Sequence, residues 1–287
     1  MRPIMRPIWK IPGSASVTAV ASFIGSFSVG IFLTNQLYKD GKYTKKEAAF
    51  TMVGFSTVSA TFMVIVAKTL GFMDRWTMFF LSALIITFVT SAIVCRLYPL
   101  RKIKNSYYNE INNADNEKRG NKGLLKTAVN EALKTAEKAP QIHRSLLKNF
   151  KDGMLIIFRL APLMVSIATI AFLLVYNTQL FDFLGYIFYP ILKLMQVPDT
   201  MLVSKAAALA AAEMFTPAAI VSSVGASELA RYVTGMISIS SIIFFAGPIS
   251  VILATEVQIS IKDLLLVFLE RVYIIIILAA IAGHILL

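Results

Sequence analysis

The sequence predicts an all-α polytopic membrane protein built as an inverted repeat. Each copy is predicted to contain a re-entrant helical hairpin, a broken transmembrane helix and a transmembrane helix. Hydrophobic residues make up 57% of 287 positions, charged residues only 15%, and the mean hydropathy is +0.70, which excludes an ordinary soluble domain. Several uncharged runs reach the length of about 20 residues that a spanning helix needs.

Two stretches 181 positions apart share a polar skeleton. The matched positions are Glu47, Ala49, Gly54, Thr57 and Ser59 in the first copy and Glu228, Ala230, Gly235, Ser238 and Ser240 in the second. Both copies are long enough to cross a bilayer, and a small polar cluster interrupts both, so we predict that both helices are discontinuous. Paired interrupted segments in two halves of a chain indicate a transporter's binding site.

Basic residues are concentrated in three regions, which we expect to face the cytoplasm. Residues 96–151 carry 13 Lys/Arg and five Asp/Glu, residues 1–12 carry three basic residues, and residues 38–47 carry four basic and two acidic residues. These regions hold all of the net positive charge of +12. Lys/Arg-rich loops stay on the cytoplasmic side of a membrane, so a loop bordered by spanning helices explains the charge without a nucleic-acid partner.

The flanks of residues 13–37 predict a hairpin rather than one spanning helix. Lys10 and the lysines after residue 38 are basic and therefore cytoplasmic, whereas a single crossing would separate them. We predict a re-entrant hairpin turning near Gly25–Gly30, with one straight helix rich in small residues as the alternative. The first part of the chain is then predicted to contain an interfacial segment over 1–12 and repeat 1 over 13–96. Repeat 1 consists of hairpin 13–37, broken helix 44–70, interrupted near Gly54–Ser59, and helix 76–96.

A basic connector and two further elements are predicted between the repeats. They are a cytoplasmic connector over 97–152, a transmembrane helix over 153–181 and an outer interfacial helix over 182–198, which is short, aromatic and interrupted at Pro190 and Pro198. The second unit then begins outside whereas the first began inside, so the repeats are inverted. Repeat 2, residues 199–287, contains hairpin 201–227 turning at Phe215–Pro217, broken helix 229–256 and helix 264–286.

Glu213 is the most unusual polar residue of the second half. Seven uncharged residues precede it and fourteen follow it. A carboxylate at membrane depth is costly unless it is solvated, paired or protonated, so we expect it to face a cavity as a substrate hydrogen-bond acceptor or a proton carrier. The structural alternative is an ion pair with Lys205 or with Arg231.

Hydroxyl groups cluster at both predicted breaks. Ser56, Thr57 and Ser59 lie at the first break, and Ser238, Ser240 and Ser241 at the second. Hydroxyls and freed backbone carbonyls are oxygen ligands suited to a hard cation such as Na⁺, and we assign the first cluster to cation binding. The alternative is that these residues serve helix packing.

Signatures of other chemistry are missing from the sequence. His143 and His284 lack spaced Cys, Asp or Glu ligands, so we predict no metal centre. There is no P-loop, nucleophile elbow or paired carboxylate arrangement, so we predict neither an enzyme nor an ATP-driven pump. We expect no cofactor, and Na⁺ or H⁺ as the coupling ion.

Residues 6–62, RPIWKIPGSASVTAVASFIGSFSVGIFLTNQLYKDGKYTKKEAAFTMVGFSTVSATF, resemble the nucleoside-recognition, or Gate, domain family, closest to its YjiH-like branch of bacterial membrane proteins. The order of elements is more distantly similar to the core of concentrative nucleoside transporters. That resemblance implies that two hairpin tips and two broken helices surround a substrate, with a cation site beside the first hairpin. GFSTVSAT at 54–61 resembles that family's first broken-helix motif.

The resemblance also implies the substrate-binding residues. Glu213 matches the glutamate of the second hairpin, and with it we group Thr216, Ser26, Ser28, Ser238 and Ser240. The first hairpin has no glutamate, and Ala212 stands where an asparagine usually precedes the second-hairpin glutamate. These departures argue against a nucleoside, although a nucleoside-like substrate stays open. The transporters' three N-terminal scaffold helices have no counterpart, so we expect a short form or the C-terminal part of a longer product.

We therefore predict a cation-coupled secondary transporter of a small polar metabolite. Its partners are the lipid bilayer, the substrate and further copies of itself as a homo-oligomer, in a bacterial cytoplasmic membrane. The alternative is a non-transporting membrane assembly or interaction protein, because Gate relatives among spore-maturation proteins are not established carriers.

Overall fold

The computed structural model describes residues 2–110, residue 133 and residues 142–287. All regular secondary structure in these residues is helical, which confirms the predicted all-α class. Four helices of the described chain are long and apolar enough to cross a membrane: Lys45–Leu70, Met73–Val94, Glu228–Leu253 and Ile261–Leu286. Most of the predicted connector over 97–152, including Asn116 and Lys122, lies outside the described residues.

The first half of the chain forms two packed helices followed by an interrupted helix and a long helix. Its helices are α1 (Arg2–Trp9), α2 (Ala15–Ile24), α3 (Phe27–Lys39), α4 (Lys45–Phe55), α5 (Ala60–Leu70) and α6 (Trp76–Val94). Helices α2 and α3, called here the first helix pair, pack against each other, and both pack on α4.

Residues 56–59, called here the first break, separate α4 from α5, and local sequence explains both boundaries. Thr44 and Glu47 form a reciprocal capping box that begins α4. Ser59 caps α5, because its Oγ accepts a hydrogen bond from the Phe62 N–H at 3.3 Å. Gly71, with φ of 77°, ends α5 in the left-handed conformation that glycine adopts readily. The break lies within the predicted stretch Gly54–Ser59.

The second half repeats this order after three connecting helices. Its helices are α7 (Ile142–Asn177), α8 (Leu180–Gly185), α9 (Tyr189–Leu194), α10 (Thr200–Leu209), α11 (Thr216–Ser223), α12 (Glu228–Ser240), a π-helical segment (Phe245–Ile249), α13 (Ser250–Leu253) and α14 (Ile261–Leu286). Helices α10 and α11, the second helix pair, pack together and both pack on α12. Residues 241–244, the second break, are not helical.

A proline explains the helix boundaries at two places. The turn of the second helix pair covers residues 210–215 rather than Phe215–Pro217, and segment 182–198, predicted to be interrupted at Pro190 and Pro198, is divided into α8 and α9 just before Pro190. Pro217 and Pro190 lie in the first turns of α11 and α9. Proline is favoured there because its missing N–H would have no partner in the first turn of a helix. Each proline therefore begins a helix instead of ending one.

The two interrupted helices run in opposite directions. Arg75, which follows α5, forms an ion pair with Glu228 at the start of α12, with Nη1 and Oε1 2.9 Å apart. Arg231 Nη1 donates to the Leu70 carbonyl at 2.6 Å. The end of α5 therefore lies beside the beginning of α12.

Contacts at the opposite end of the bundle agree with this direction. The backbone N–H of Glu256, which follows α13, donates to Asn35 Oδ1 at 3.1 Å. The Glu256 carboxylate lies 3.7 Å from Lys39 Nζ at the end of α3. Antiparallel interrupted helices are the arrangement that an inverted repeat requires.

Cysteine labelling can test the predicted orientation of this arrangement. We expect cysteines placed at Asp74 and Asp199 to react with a membrane-impermeant maleimide in intact cells, and cysteines at Asn116 and Lys122 to react only after permeabilisation. We place Asp199 on the same, outer side as Asp74 because its Oδ2 accepts from the Ser227 N–H at 2.9 Å, next to the start of α12. A Cys95→Ala background removes the natural, buried thiol. Labelling at position 122 but not at position 74 in intact cells would contradict the predicted orientation.

Candidate functional site

The first helix pair packs directly on the first break. Ser22 Oγ of α2 donates to the Thr57 carbonyl at 2.9 Å. At Gly30 of α3, an added Cβ would lie 3.0 Å from Ser22 Cβ and 3.4 Å from Ser56 Oγ. Glycine at position 30 thus allows the close approach of α3 to α2 and to the break.

The turn of the second helix pair is bonded through backbone groups to the π-helical segment that directly follows the second break. The Phe245 N–H donates to the Ala211 carbonyl at 2.7 Å, and the Ala246 N–H to the Ala212 carbonyl at 3.0 Å. Phe244 also contacts the first helix pair, because its ring centroid lies 5.6 Å from that of Phe27 in an edge-on arrangement. The first helix pair therefore contacts the second break, and the turn of the second helix pair contacts the residues that directly follow it.

Arg271 connects the two interrupted helices from its position on α14. Its side chain is fully buried. Nη2 donates to the Ser240 carbonyl at 2.7 Å, and Nη1 donates to the Val53 carbonyl and to Ser91 Oγ, both at 3.2 Å. Ser91 of α6 in turn donates to the Gly54 or Thr87 carbonyl at 2.8 Å.

The two breaks explain why an arginine is needed there. In a continuous helix, the carbonyls of Val53 and Ser240 would accept from the N–H groups four residues later. Those N–H groups belong to the non-helical residues 57 and 244, so both carbonyls need another donor inside the protein. A guanidinium has five N–H donors and supplies both bonds. Its positive charge at the C-terminal ends of α4 and α12 also interacts favourably with the helix dipoles.

The sequence did not identify Arg271 as part of the site. It shows Glu270 and Arg271 as neighbours, which cannot face each other on a helix, and it names no partner for either. The available signal was a charged residue followed by a long apolar run, because intramembrane arginines commonly pair with backbone carbonyls. The same rule selected Glu213.

Glu213 lies half-buried in the turn of the second helix pair and caps α11. Its Oε2 accepts from the N–H groups of Phe215 and Thr216, both at 2.8 Å, and from Thr216 Oγ1 at 2.9 Å. Within the described chain, Oε1 receives no hydrogen bond. The carboxylate is thus held through one oxygen, while the other can accept from a ligand.

Neither ion pair considered as the structural alternative for Glu213 is formed. Lys205 Nζ instead pairs with Asp182 Oδ2 at 2.8 Å. Arg231 donates to the Leu70 carbonyl at 2.6 Å, at the end of α5. The sequence suggested Lys205 because it lies on roughly the same helical face as Glu213, but α10 ends at Leu209, so the helical spacing does not extend to Glu213.

The hydroxyls at the breaks fall into two groups. Ser59 caps α5, and Ser240 Oγ accepts from Thr87 Oγ1 at 2.8 Å, so both have structural partners. The buried hydroxyls of the other group have no hydrogen-bond partner among the described residues: Ser56, Thr57, Ser238 and Ser241. Unpaired buried hydroxyls are costly, and they occur here at both breaks.

The remaining predicted substrate residues belong to the helix pairs. Ser26 precedes α3 and Ser28 lies in its first turn, both half-buried, and the Ser26 side chain does not cap the helix. Thr216 is buried and bonded to Glu213.

An apolar cavity borders the first break, and another lies beside the residue that follows the second break. A cavity of about 240 Å³ reaches Thr57 between α2 and α6 and is walled by Phe23, Phe80 and Phe88. A second cavity, of about 440 Å³, lies beside Ala212 and Phe245, next to Glu213 in the chain. The two cavities have no lining residue in common, so they are separate in this conformation.

Comparison with known proteins finds a family match for the first part of the chain. Residues 1–73 match the family model described as Gate, nucleoside recognition. The predicted resemblance to the Gate family is confirmed over this segment. The matched residues include the first helix pair and the first break.

A curated relative extends the similarity along the chain. An uncharacterised protein of Alkalihalophilus pseudofirmus is 32% identical over 272 residues, which is 94% of this chain and 58% of the relative. The chain thus spans a little more than half the length of the relative it matches. No solved structure matches the chain.

Proposed function

We propose that the protein is a cation-coupled secondary transporter of a small polar metabolite, with its binding site at the two breaks. The observation that carries this proposal is the pairing of two buried helix interruptions with two short helix pairs. Irregular backbone at membrane depth is tolerated where protein buries it or where it lines a cavity. Transporters use such discontinuous helices to bind substrates and coupling ions. The Gate match covers one of these interruptions.

The lengths of the paired helices support re-entrant hairpins. Helices α2 and α10 have 10 residues each, and α3 and α11 have 13 and 8. At 1.5 Å per residue these helices are about 12–20 Å long, too short to cross a hydrocarbon core of about 30 Å. We therefore assign both pairs to re-entrant hairpins that enter from opposite faces.

Within this proposal, Glu213 binds the substrate through Oε1, and Ser26, Ser28 and Ser238 contribute side-chain hydroxyls. Thr216 and Ser240, whose hydroxyls bond within the protein, position Glu213 and the second break. Na⁺ or H⁺ is the coupling ion, and the unpaired hydroxyls of Ser56 and Thr57 are the proposed Na⁺ ligands.

A thermal-shift screen of purified protein tests this function. Small polar metabolites, nucleosides among them, are added in Na⁺ and in K⁺ buffers at several pH values. A ligand at 100 times its Kd stabilises the folded state by about 2.7 kcal/mol, so a substrate should raise the melting temperature measurably. Greater stabilisation in Na⁺ than in K⁺ identifies Na⁺ coupling. Stabilisation that is equal in Na⁺ and K⁺ but changes with pH identifies H⁺ as the coupling ion.

Ser56→Ala separates a cation ligand from a packing residue. Removing a buried, unpaired hydroxyl should leave the melting temperature unchanged or slightly higher. The affinity for Na⁺, measured from the Na⁺-dependent stabilisation, should fall about tenfold. The matched control is Ser91→Ala, which removes a hydroxyl bonded to Arg271 and should cost about 1–2 kcal/mol of stability. A Ser56→Ala protein that loses as much stability as the control, with its Na⁺ response intact, would contradict the cation assignment.

A further inference from the structure

A large apolar groove follows the face of α6 that points away from the bundle. Its volume is about 930 Å³, within the usual range of ligand sites, and α1 forms its other wall. Leu81 and Ile85 of α6 line it and are 50% and 62% exposed. Because α6 lies in one of the four helices long and apolar enough to cross a membrane, we expect this exposed groove to face lipid.

The α1 wall of the groove is held in place. Trp9 Nε1 donates to the Phe88 carbonyl at 3.0 Å. The Trp9 ring packs edge-on against Phe55 and Phe88, with centroid separations of 5.4 and 6.1 Å. The groove is therefore formed by fixed side chains, and tryptophan is typical of the membrane–water interface.

Positive charge lies at one end of the groove. Arg96 lines that end, is exposed, and donates through Nη2 to the Pro7 carbonyl at 3.0 Å and through Nη1 to the Ala92 carbonyl. A guanidinium has more N–H donors than these contacts use. Arg6 and Lys10 adjoin groove residues Pro7 and Trp9 in the chain, and no acidic residue lines the groove.

We propose that this groove binds an anionic phospholipid, with an acyl chain along α6 and the phosphate at Arg96. From Leu81 to Val94, two residues before Arg96, the helix rises about 20 Å, which exceeds the roughly 15 Å depth of one hydrocarbon leaflet. An arginine at the mouth favours a phosphate, and neighbouring basic residues attract anionic lipid. The site is independent of transport, since it rests only on the groove and its charge.

Lipid at this site would act on the first break through α1. Trp9 packs on Phe55, the last residue of α4, directly before Ser56. Phe88 lines both the groove and the smaller cavity that reaches Thr57. A bound lipid therefore stabilises the packing beside the break.

Native mass spectrometry and thermal melting of delipidated protein test the site. Dioleoyl phosphatidylglycerol should bind about tenfold more tightly than dioleoyl phosphatidylcholine and should raise the melting temperature more. Arg96→Gln should abolish this preference. Ala92→Phe fills the groove without changing its charge and should weaken the binding of both lipids. This second variant tests the site even if Arg96→Gln fails to fold. Arg101→Gln, an exposed position outside the groove, is the matched control and should behave as the unaltered protein.

Two results would overturn the proposal. One is an unchanged phosphatidylglycerol preference in Arg96→Gln or, if that variant fails to fold, unchanged binding of both lipids by Ala92→Phe. The other is an equal loss in Arg101→Gln, which would show a general surface-charge effect instead of a built site.

Discussion

Arg271→Met is expected to lower the unfolding free energy by about 3 kcal/mol, because it leaves the buried carbonyls of Val53 and Ser240 without donors. Arg271→Lys should recover part of this loss, since an ammonium carries three donors on one nitrogen and cannot span both carbonyls as a guanidinium does. Thermal and denaturant melting of the purified proteins provide the measurement.

The control for Arg271 is Arg75→Met. Arg75 forms an exposed ion pair with Glu228, with side chains 52% and 44% exposed, and such pairs contribute at most about 1 kcal/mol. If both methionine variants melt at the same temperature, Arg271 does not hold the two interrupted helices together.

Glu213→Gln is expected to abolish substrate-dependent stabilisation while leaving the melting temperature of the ligand-free protein nearly unchanged. The amide oxygen of glutamine can still accept the capping bonds from Phe215 and Thr216, but it lacks the charge that strengthens a bond to substrate. Glu213→Ala, which removes the cap as well, should cost about 1 kcal/mol in stability. The ligand response and melting temperature of each variant are measured together.

Lys205→Met is the control for Glu213, since it breaks the Lys205–Asp182 pair without touching the turn. It should lower stability and keep the ligand response. A Glu213→Gln protein that keeps its ligand response but melts as low as Glu213→Ala would make Glu213 a structural cap alone.

Features set by neighbouring residues could be read from the sequence. The first break lies where Gly54 to Ser59 predicted one, because the polar cluster and the Ser59 cap are local signals. The turn at residues 210–215 was misplaced because Pro217 can either end or begin a helix. The Glu213 cap is also local, within three residues, but the apolar surroundings of Glu213 in the sequence suggested only a substrate or proton site, or an ion pair.

The Arg271 contacts could not be read in this way. Its partners Val53 and Ser91 lie 218 and 180 positions away in the chain, and no periodicity or composition links them. Only the packing of α14 against α6 and α12 brings these groups together. Once the fold is known, the two breaks show that a buried donor must bond to both free carbonyls, and Arg271 can then be assigned that role.

Access of water to the breaks is the most direct test of the transport site. Cysteines at Ser56 and Ser241, each in a Cys95→Ala background, are treated with a small water-soluble methanethiosulfonate, with Asp74→Cys as the exposed control. A transporter opens its site to water in turn on each side, so both cysteines should react, and a bound substrate should slow the reaction. If neither reacts while Asp74→Cys is fully modified, the breaks are sealed inside a dry bundle and the protein is an assembly or interaction protein instead.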